Sequence, residues 1–162
     1  MSKATSPHQV VIERTFDAPI DLVWRMWTEP AHFAAWYGPT GANIPVAKMD
    51  VRIGGSRLIC MEVNTPSGPL QMWFTGEFLD IDEPHRLVYT EAVSDEHGHI
   101  KSPADAGIPE GGPTTTTVTI ELEEIGGKTR MVLTHAGVPA GSPGESGWHM
   151  AFEKLATRLS ES

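Results

Sequence analysis

His135 is the side chain of this sequence best suited to acid–base chemistry near neutral pH. It shares strand parity with Met131 and Leu133, so its ring is expected to face the same apolar interior. An imidazole titrates close to neutrality and could serve there as a general base or as a polar anchor. The alternative is a core histidine satisfied by a hydrogen bond, because buried polar groups normally find partners.

Glu91 is the second candidate for acid–base work. It shares strand parity with Leu87 and Tyr89, which would place its carboxylate on an apolar wall. A carboxylate in such surroundings has a raised pKa and can act as an acid or a base. The alternative is an outward, solvated glutamate at a strand end, since glutamate is seldom buried unless it is paired.

The remaining reactive side chains do not form a recognisable site. His97 and His99, with Asp95 and Glu96, resemble a metal cluster, but they lie in a loop without further ligands at fixed spacing. Cys60 alternates with apolar neighbours in a strand, which is typical of an inert core thiol. We therefore expect no metal and no cofactor.

A ligand-binding wall is predicted from large apolar side chains on several elements. Pockets for small molecules are concave and mainly apolar, with few polar groups, and methionine suits an adaptable wall. Plain core packing is the competing interpretation for each of these residues. The predicted ligand-binding residues are Trp27, Phe33, Trp36, Met49, Met61, Trp73, Phe74, Tyr89, Met131, His135, Phe152 and Leu155.

Most of the elements that must position these residues are strands. Alternating and β-branched runs separated by Gly and Pro turns predict strands over 10–16, 44–53, 57–64, 71–82, 85–93, 114–124 and 129–137. Local turns between neighbouring strands favour antiparallel pairing as a meander. Gly76 lies inside a strand pattern and predicts a bulge or bend.

Three helices complete the prediction. One begins near Pro19, and a second short helix carries Phe33 and Trp36. Ser142 and Glu145 have the spacing of a capping box before a long amphipathic helix that runs to about residue 160. The fold class is therefore α+β: a curved seven-stranded antiparallel sheet wrapped around the long C-terminal helix, with two short helices between strands 1 and 2.

Two segments fall outside these elements. Residues 94–113 form a long Gly- and Pro-rich stretch, which is often a lid, a binding loop or disorder. Residues 1–9 are short and polar and are expected to be a flexible tail. Residues 10–160 are expected to form one domain, because 162 residues fit a single domain comfortably.

Charge and composition exclude several classes of function. With 12 basic and 21 acidic residues the net charge is −9, which argues against nucleic acid as a partner. Apolar runs are too short for membrane insertion, and residues 1–9 lack the apolar stretch of a signal peptide, so neither is expected. A single cysteine excludes an internal disulfide framework, so a cytoplasmic location is expected.

Five segments, in order, give the chain a resemblance to a known family. They are RTFDAPIDLVWRMWTEPAHFAAWYGP at 14–39, DVRIGG at 50–55, GEFLDIDEPHRLVYTEA at 76–92, TRMVLTH at 129–135 and GWHMAFEKLATRL at 147–159. The set is similar to the START-like helix-grip superfamily (SRPBCC, Bet v 1-like). Within it, the chain resembles the branch named after the C-terminal domain of the activator of heat-shock-protein-90 ATPase. The resemblance implies a helix-grip fold with a deep, mostly apolar cavity between the sheet and the C-terminal helix.

Three functions are compatible with this sequence. The first is binding of a hydrophobic or amphipathic small molecule in the cavity. The second is a cyclase- or hydrolase-type enzyme that uses Glu91 or His135 as acid–base groups. The third, implied by the resemblance, is a chaperone-associated accessory protein, which would need an exposed apolar patch. A homodimer is possible, and this fold hosts many unrelated activities.

Overall fold

Seven strands form one antiparallel sheet in the computed structural model, which describes residues 9–106 and 114–161. The strands are β1 (Gln9–Phe16), β2 (Asn43–Met49), β3 (Ser56–Thr65), β4 (Gly68–Asp82), β5 (Arg86–Ser94), β6 (Thr115–Ile125) and β7 (Lys128–Ala136). Their order across the sheet is β1-β7-β6-β5-β4-β3-β2. Strands β2 to β7 thus form the predicted meander, and β1 is added beside β7.

Three helices pack on the sheet. Helices α1 (Ile20–Thr28) and α2 (Pro30–Trp36) connect β1 to β2, and α3 (Pro143–Ser160) ends the fold. The apolar stripe of α3 is buried, as its spacing predicts, and consists of Trp148, Ala151, Phe152, Leu155 and Leu159. The predicted α+β class and the helix-grip arrangement are confirmed.

Aromatic rings fill the interior between the three helices and the sheet. The ring centroids of Trp27 and Trp36 are 4.7 Å apart, and that of Phe152 lies 6.2 Å from each of them. Phe33 adds a further ring 5.2 Å from Trp36. These four side chains are buried almost completely. These rings therefore form a packed core between the sheet and the helices.

Strand boundaries differ from the prediction by more than one residue at two strands. Strand β2 ends at Met49 rather than at residue 53, because the backbone after it turns: the Arg52 amide donates to the Asp50 carbonyl, and the Gly55 amide donates to that of Arg52. Strand β4 begins at Gly68, three residues early, because the turn before it is tight and Thr65 pairs directly with Gly68.

The expected bulge and the expected capping box both differ in detail. The register of β4 against β5 shifts between Phe78 and Asp80, not at Gly76. The Ser142 side chain makes no capping hydrogen bond; instead, the Glu145 carboxylate accepts from the Gly141 amide, 2.9 Å away. The start of α3 is still stabilised by an acidic side chain in its first turn.

Residues 94–106 of the long loop are held by local hydrogen bonds. Ser94 and Ile100 form an isolated antiparallel bridge, and the Asp95 carboxylate accepts hydrogen bonds from the amides of His97 and His99. These hydrogen bonds lower the pKa of Asp95, and the bond from the His99 amide has the largest effect. Residues 107–113 and the tail up to residue 8 lie outside the described residues, so the lid and flexible-tail predictions are not tested there. No helix among the described residues is long and apolar enough to cross a membrane.

Candidate functional site

A cavity of about 560 Å³ lies where the first turns of α3 face the sheet. The segment that follows α2 closes one side of it, and β3 and β4 form the floor. Its lining is apolar except for three side chains, Tyr37, Glu91 and His135. The lining residues are Tyr37, Gly38, Pro39, Met61, Met72, Phe74, Glu91, His135, Val138, Pro143, Gly144, Gly147, Trp148, Met150 and Ala151.

The methionine floor of the cavity follows from strand register. Met61 on β3 and Met72 on β4 are direct cross-strand partners, so their side chains share one face. Gly38 packs closely above them: a Cβ atom there would lie 3.3 Å from the Met61 Cε, and its φ of +90° disfavours other residues. The wall is thus built from flexible side chains beneath a close backbone contact.

Gly147 on α3 borders the cavity and has open space around it. A Cβ atom added at Gly147 would meet no heavy atom within 4 Å. The residue that follows it, Trp148, is 6% exposed and places its indole on the cavity wall. An ordinary side chain at position 147 would therefore extend into the empty space.

Glu91 is buried and paired. Its Oε2 accepts a hydrogen bond from the Tyr37 hydroxyl at 2.9 Å and lies 3.6 Å from Arg57 Nη1. The residue is 8% exposed, and it borders the cavity. Burial, and then the charge of Glu91, raise the pKa of Tyr37 well above its ordinary value, so this phenol stays protonated and remains a donor.

Arg57 supplies the counter-charge to Glu91 from within the core. It is 1% exposed, and its guanidinium carbon lies 3.8 Å from the ring centroid of Tyr89 and 5.5 Å from that of Phe33. Its three guanidinium nitrogens have no hydrogen-bond partner among the described residues. Stacking on aromatic faces and the charge of Glu91 are therefore what hold this cation in the core.

His135 is held in one neutral tautomer by its neighbours. The Trp148 indole N–H donates to its Nδ1 at 3.0 Å, so that nitrogen carries no proton. The Thr116 hydroxyl donates to the Glu91 carbonyl at 3.1 Å and hence accepts from His135 Nε2, which is 2.8 Å away. Burial lowers the pKa of His135, in agreement with a neutral ring whose two nitrogens are both occupied.

The predicted site residues divide between the cavity and the core. Met61, Phe74, Glu91 and His135 border the cavity. Met49 is half-buried against the core, and Trp73 lines a separate depression. The others are buried in the core and do not line this cavity; they are Trp27, Phe33, Trp36, Tyr89, Met131, Phe152 and Leu155.

The separate depression has a more polar character. It has a volume of about 660 Å³ and adjoins the cavity, because Met72 and Phe74 line both. It lies between β4 and the loop that follows β5, where Asp95, Glu96, His97 and Lys101 line it. Within the described residues, no group of three or more His, Cys, Asp or Glu side chains is placed to hold a metal ion. The mainly apolar cavity beside α3 fits a small molecule better than this charged depression does.

Sequence reasoning missed Arg57, Tyr37 and the α3 part of the wall. Strand parity could have found Arg57, because it lies two and four residues before Ile59 and Met61 on β3 and therefore shares their inward face. Nothing in the local pattern marks Tyr37 or Gly147, because their role depends on how α2 and α3 approach the sheet.

Solved structures with this fold come from several bacteria. A protein of Arthrobacter aurescens is 25% identical, with a TM-score of 0.77, and the match covers 99% of this chain and 91% of that one. A protein of Nitrosomonas europaea is 23% identical, with a TM-score of 0.73 and coverage of 98% and 97%. CalU16 of Micromonospora echinospora is 25% identical, with a TM-score of 0.63 and coverage of 94% and 76%.

The family comparison is more specific than the structural one. None of the curated proteins compared with the chain matches it. A family model, described as activator of Hsp90 ATPase homolog 1-like protein, matches residues 17–160, from the end of β1 to the last turn of α3. The chain therefore belongs to the activator of Hsp90 ATPase homolog 1-like family.

Proposed function

We propose that this protein binds an apolar or amphipathic small molecule in the cavity beside α3. The observation that carries the proposal is the cavity of about 560 Å³, whose lining is apolar apart from Tyr37, Glu91 and His135. Ligand pockets have volumes of roughly 300–1,000 Å³ and combine apolar walls with a few polar groups. The flexible Met61, Met72 and Met150 side chains would let the wall adapt to the ligand.

The hydrogen bonds of His135 favour binding over acid–base catalysis. A general base needs a free lone pair within reach of the substrate proton. The lone pair on Nδ1 accepts a hydrogen bond from Trp148, and the N–H at Nε2 donates a hydrogen bond to Thr116. Catalysis through His135 would therefore require both contacts to break, whereas binding of an apolar molecule requires neither to change.

Position 147 offers a direct test. Gly147→Leu would place a side chain in the cavity without a clash at Cβ, and leucine has the higher helix propensity. We expect the variant to fold with unchanged or higher thermal stability and to lose binding of 2-methylnaphthalene and 2-naphthol. Ser146→Leu is the matched control, because Ser146 is exposed on the same helical turn.

Native mass spectrometry of the protein purified from its own host complements this test. A small molecule retained by the wild type and by Ser146→Leu, but absent from Gly147→Leu, is the expected result. Equal binding of both naphthalene probes by Gly147→Leu and the wild type would contradict the proposal.

A further inference from the structure

Among the described residues, the polar end of the cavity offers a ligand hydrogen-bond acceptors but no free side-chain donor. The Tyr37 hydroxyl already donates its hydrogen bond to Glu91, and the Trp148 indole N–H already donates to His135. The His135 Nε2–H in turn donates a hydrogen bond to the Thr116 hydroxyl oxygen. What remains toward the cavity is the carboxylate of Glu91 and the oxygen lone pairs of Tyr37.

The nearby cations do not change this balance. The guanidinium nitrogens of Arg57 are sealed from solvent beneath Tyr89 and Phe33, and Arg57 does not line the cavity. The Lys154 ammonium donates to the backbone carbonyls of Tyr37 and Pro39 and does not line the cavity either. An anionic group in the cavity would therefore meet the charge of Glu91, and no Lys or Arg in the part of the chain that the structure describes lines the cavity to contact it.

The first turn of α3 carries an acidic side chain of its own, Glu145, which also lies 3.3 Å from His149 Nε2. The backbone amides of the turn would favour an anion, but Glu145 lies in that turn with its carboxylate bonded to the Gly141 amide. Side-chain chemistry at the polar end and at the helix start thus disfavours a ligand carboxylate.

We infer that the cavity selects an apolar molecule whose polar end donates a hydrogen bond, such as a phenol or an alcohol, and rejects the corresponding carboxylate. The donor would bond to Glu91, at the boundary between the apolar wall and the buried ion pair. This inference rests on the proposed function and specifies the class of ligand.

Three probes with the same ring system test the inference. They are 2-naphthol, 2-naphthoate and 2-methylnaphthalene, and their dissociation constants at pH 7 can be measured by calorimetry with the protein titrated into the probe. A hydrogen bond to a charged acceptor is worth enough for 2-naphthol to bind about ten-fold more tightly than either of the others.

Glu91→Gln connects the selectivity to the carboxylate. An amide presents a donor as well as an acceptor, so the ratio of the dissociation constants of 2-naphthoate and 2-naphthol should fall toward one. Glu124→Gln is the matched control: it removes the same charge from an exposed position on β6 and should leave the ratio unchanged.

The outcomes separate this inference from the function on which it rests. If 2-naphthoate or 2-methylnaphthalene binds as tightly as 2-naphthol, or if Glu91→Gln keeps the wild-type ratio, the inference is wrong while cavity binding stands. If no probe binds up to its solubility limit, the proposed function fails and the inference fails with it. Should Glu91→Gln not fold, the three wild-type constants decide alone.

Discussion

Arg57 and Glu91 place a full ion pair in the core at the edge of an apolar cavity. Burial of two charges is costly, and the loss of one partner leaves the other uncompensated. Arg57 is 1% exposed and has no other counter-charge within ion-pair distance among the described residues, so it depends on Glu91. The pair is therefore expected to contribute little net stability while making each member indispensable to the other.

A double-mutant cycle tests this dependence. Glu91→Leu should lower the free energy of unfolding by about 3–5 kcal/mol, because it leaves a buried guanidinium without its partner. Arg57→Met combined with Glu91→Leu should cost less than Glu91→Leu alone, since apolar replacements of a buried pair are often neutral. Urea unfolding measures all four proteins, and a double variant whose loss equals the sum of the two single losses would refute the pairing.

The neutral His135 predicts a defined pH dependence of stability. Burial lowers its pKa in the folded state below the ordinary value of 6.5, so only the unfolded chain takes up this proton just below that pH. The free energy of unfolding should therefore fall as the pH drops from about 6.5 toward the native pKa, and this residue should contribute no slope above 6.5.

His135→Gln isolates that contribution. Glutamine keeps one donor and one acceptor but does not titrate, so the variant should lack this part of the slope in urea midpoints measured between pH 5 and 8. Carboxylates whose pKa is lowered, such as Asp95 and Glu145, are present in both proteins and cancel in the difference. Parallel plots of urea midpoint against pH for the two proteins would contradict the prediction, because they would mean that the pKa of His135 is the same in the folded and unfolded states.

The elements of this fold use glycine for two opposite purposes. At Gly76 in β4, a Cβ atom would lie 1.8 Å from the Thr90 carbonyl oxygen of β5, so the backbones approach too closely for any side chain. At Gly147 in α3 there is open space instead, and it belongs to the cavity. One glycine permits strand contact, and the other leaves open space beside the cavity.

The same substitution at these two sites should have opposite effects on stability. Gly76→Ala should lower the free energy of unfolding by about 1–3 kcal/mol or more, because backbone atoms must move apart. Gly147→Ala should raise it by about 0.5–1 kcal/mol, since alanine favours the helix and meets no neighbour. Urea unfolding compares the two, and equal effects would contradict the distinction between them.

Strand parity places Glu91 and His135 on the inner face, where the structure has them, because alternation along a strand is a local property. The competing prediction, an outward and solvated Glu91, is wrong, because the carboxylate is buried beside Arg57. Strand parity could not reveal that Glu91 pairs with Arg57, since their strands, β5 and β3, are separated by β4 in the sheet. The contact with Tyr37 depends on the end of α2, which lies 54 residues earlier in the chain. Such partners are set by tertiary packing, which the sequence pattern does not specify.

Most of the large aromatic side chains of the molecule pack in the core and do not line the cavity. The resemblance implied a deep cavity between the sheet and the C-terminal helix, and buried rings such as Trp27, Trp36 and Phe152 occupy part of that space. The remaining cavity lies at the N-terminal end of α3, with Trp148 on its wall. Composition could show that the chain carries many large rings, but only the packing shows which of them a ligand would touch.

The central claim is that a small apolar molecule occupies this cavity, and the five indole N–H signals test it in one experiment. Titration with 2-naphthol, followed by proton–nitrogen correlation spectra, reports Trp148 on the cavity wall and Trp73 at the separate depression. We expect Trp148 to shift most and Trp27, whose ring centroid is 5.9 Å from it, to shift less, while Trp24 and Trp73 stay in place. A Trp148 signal that stays unchanged up to the solubility limit of the probe, or a shift of Trp73 in its place, would contradict the claim.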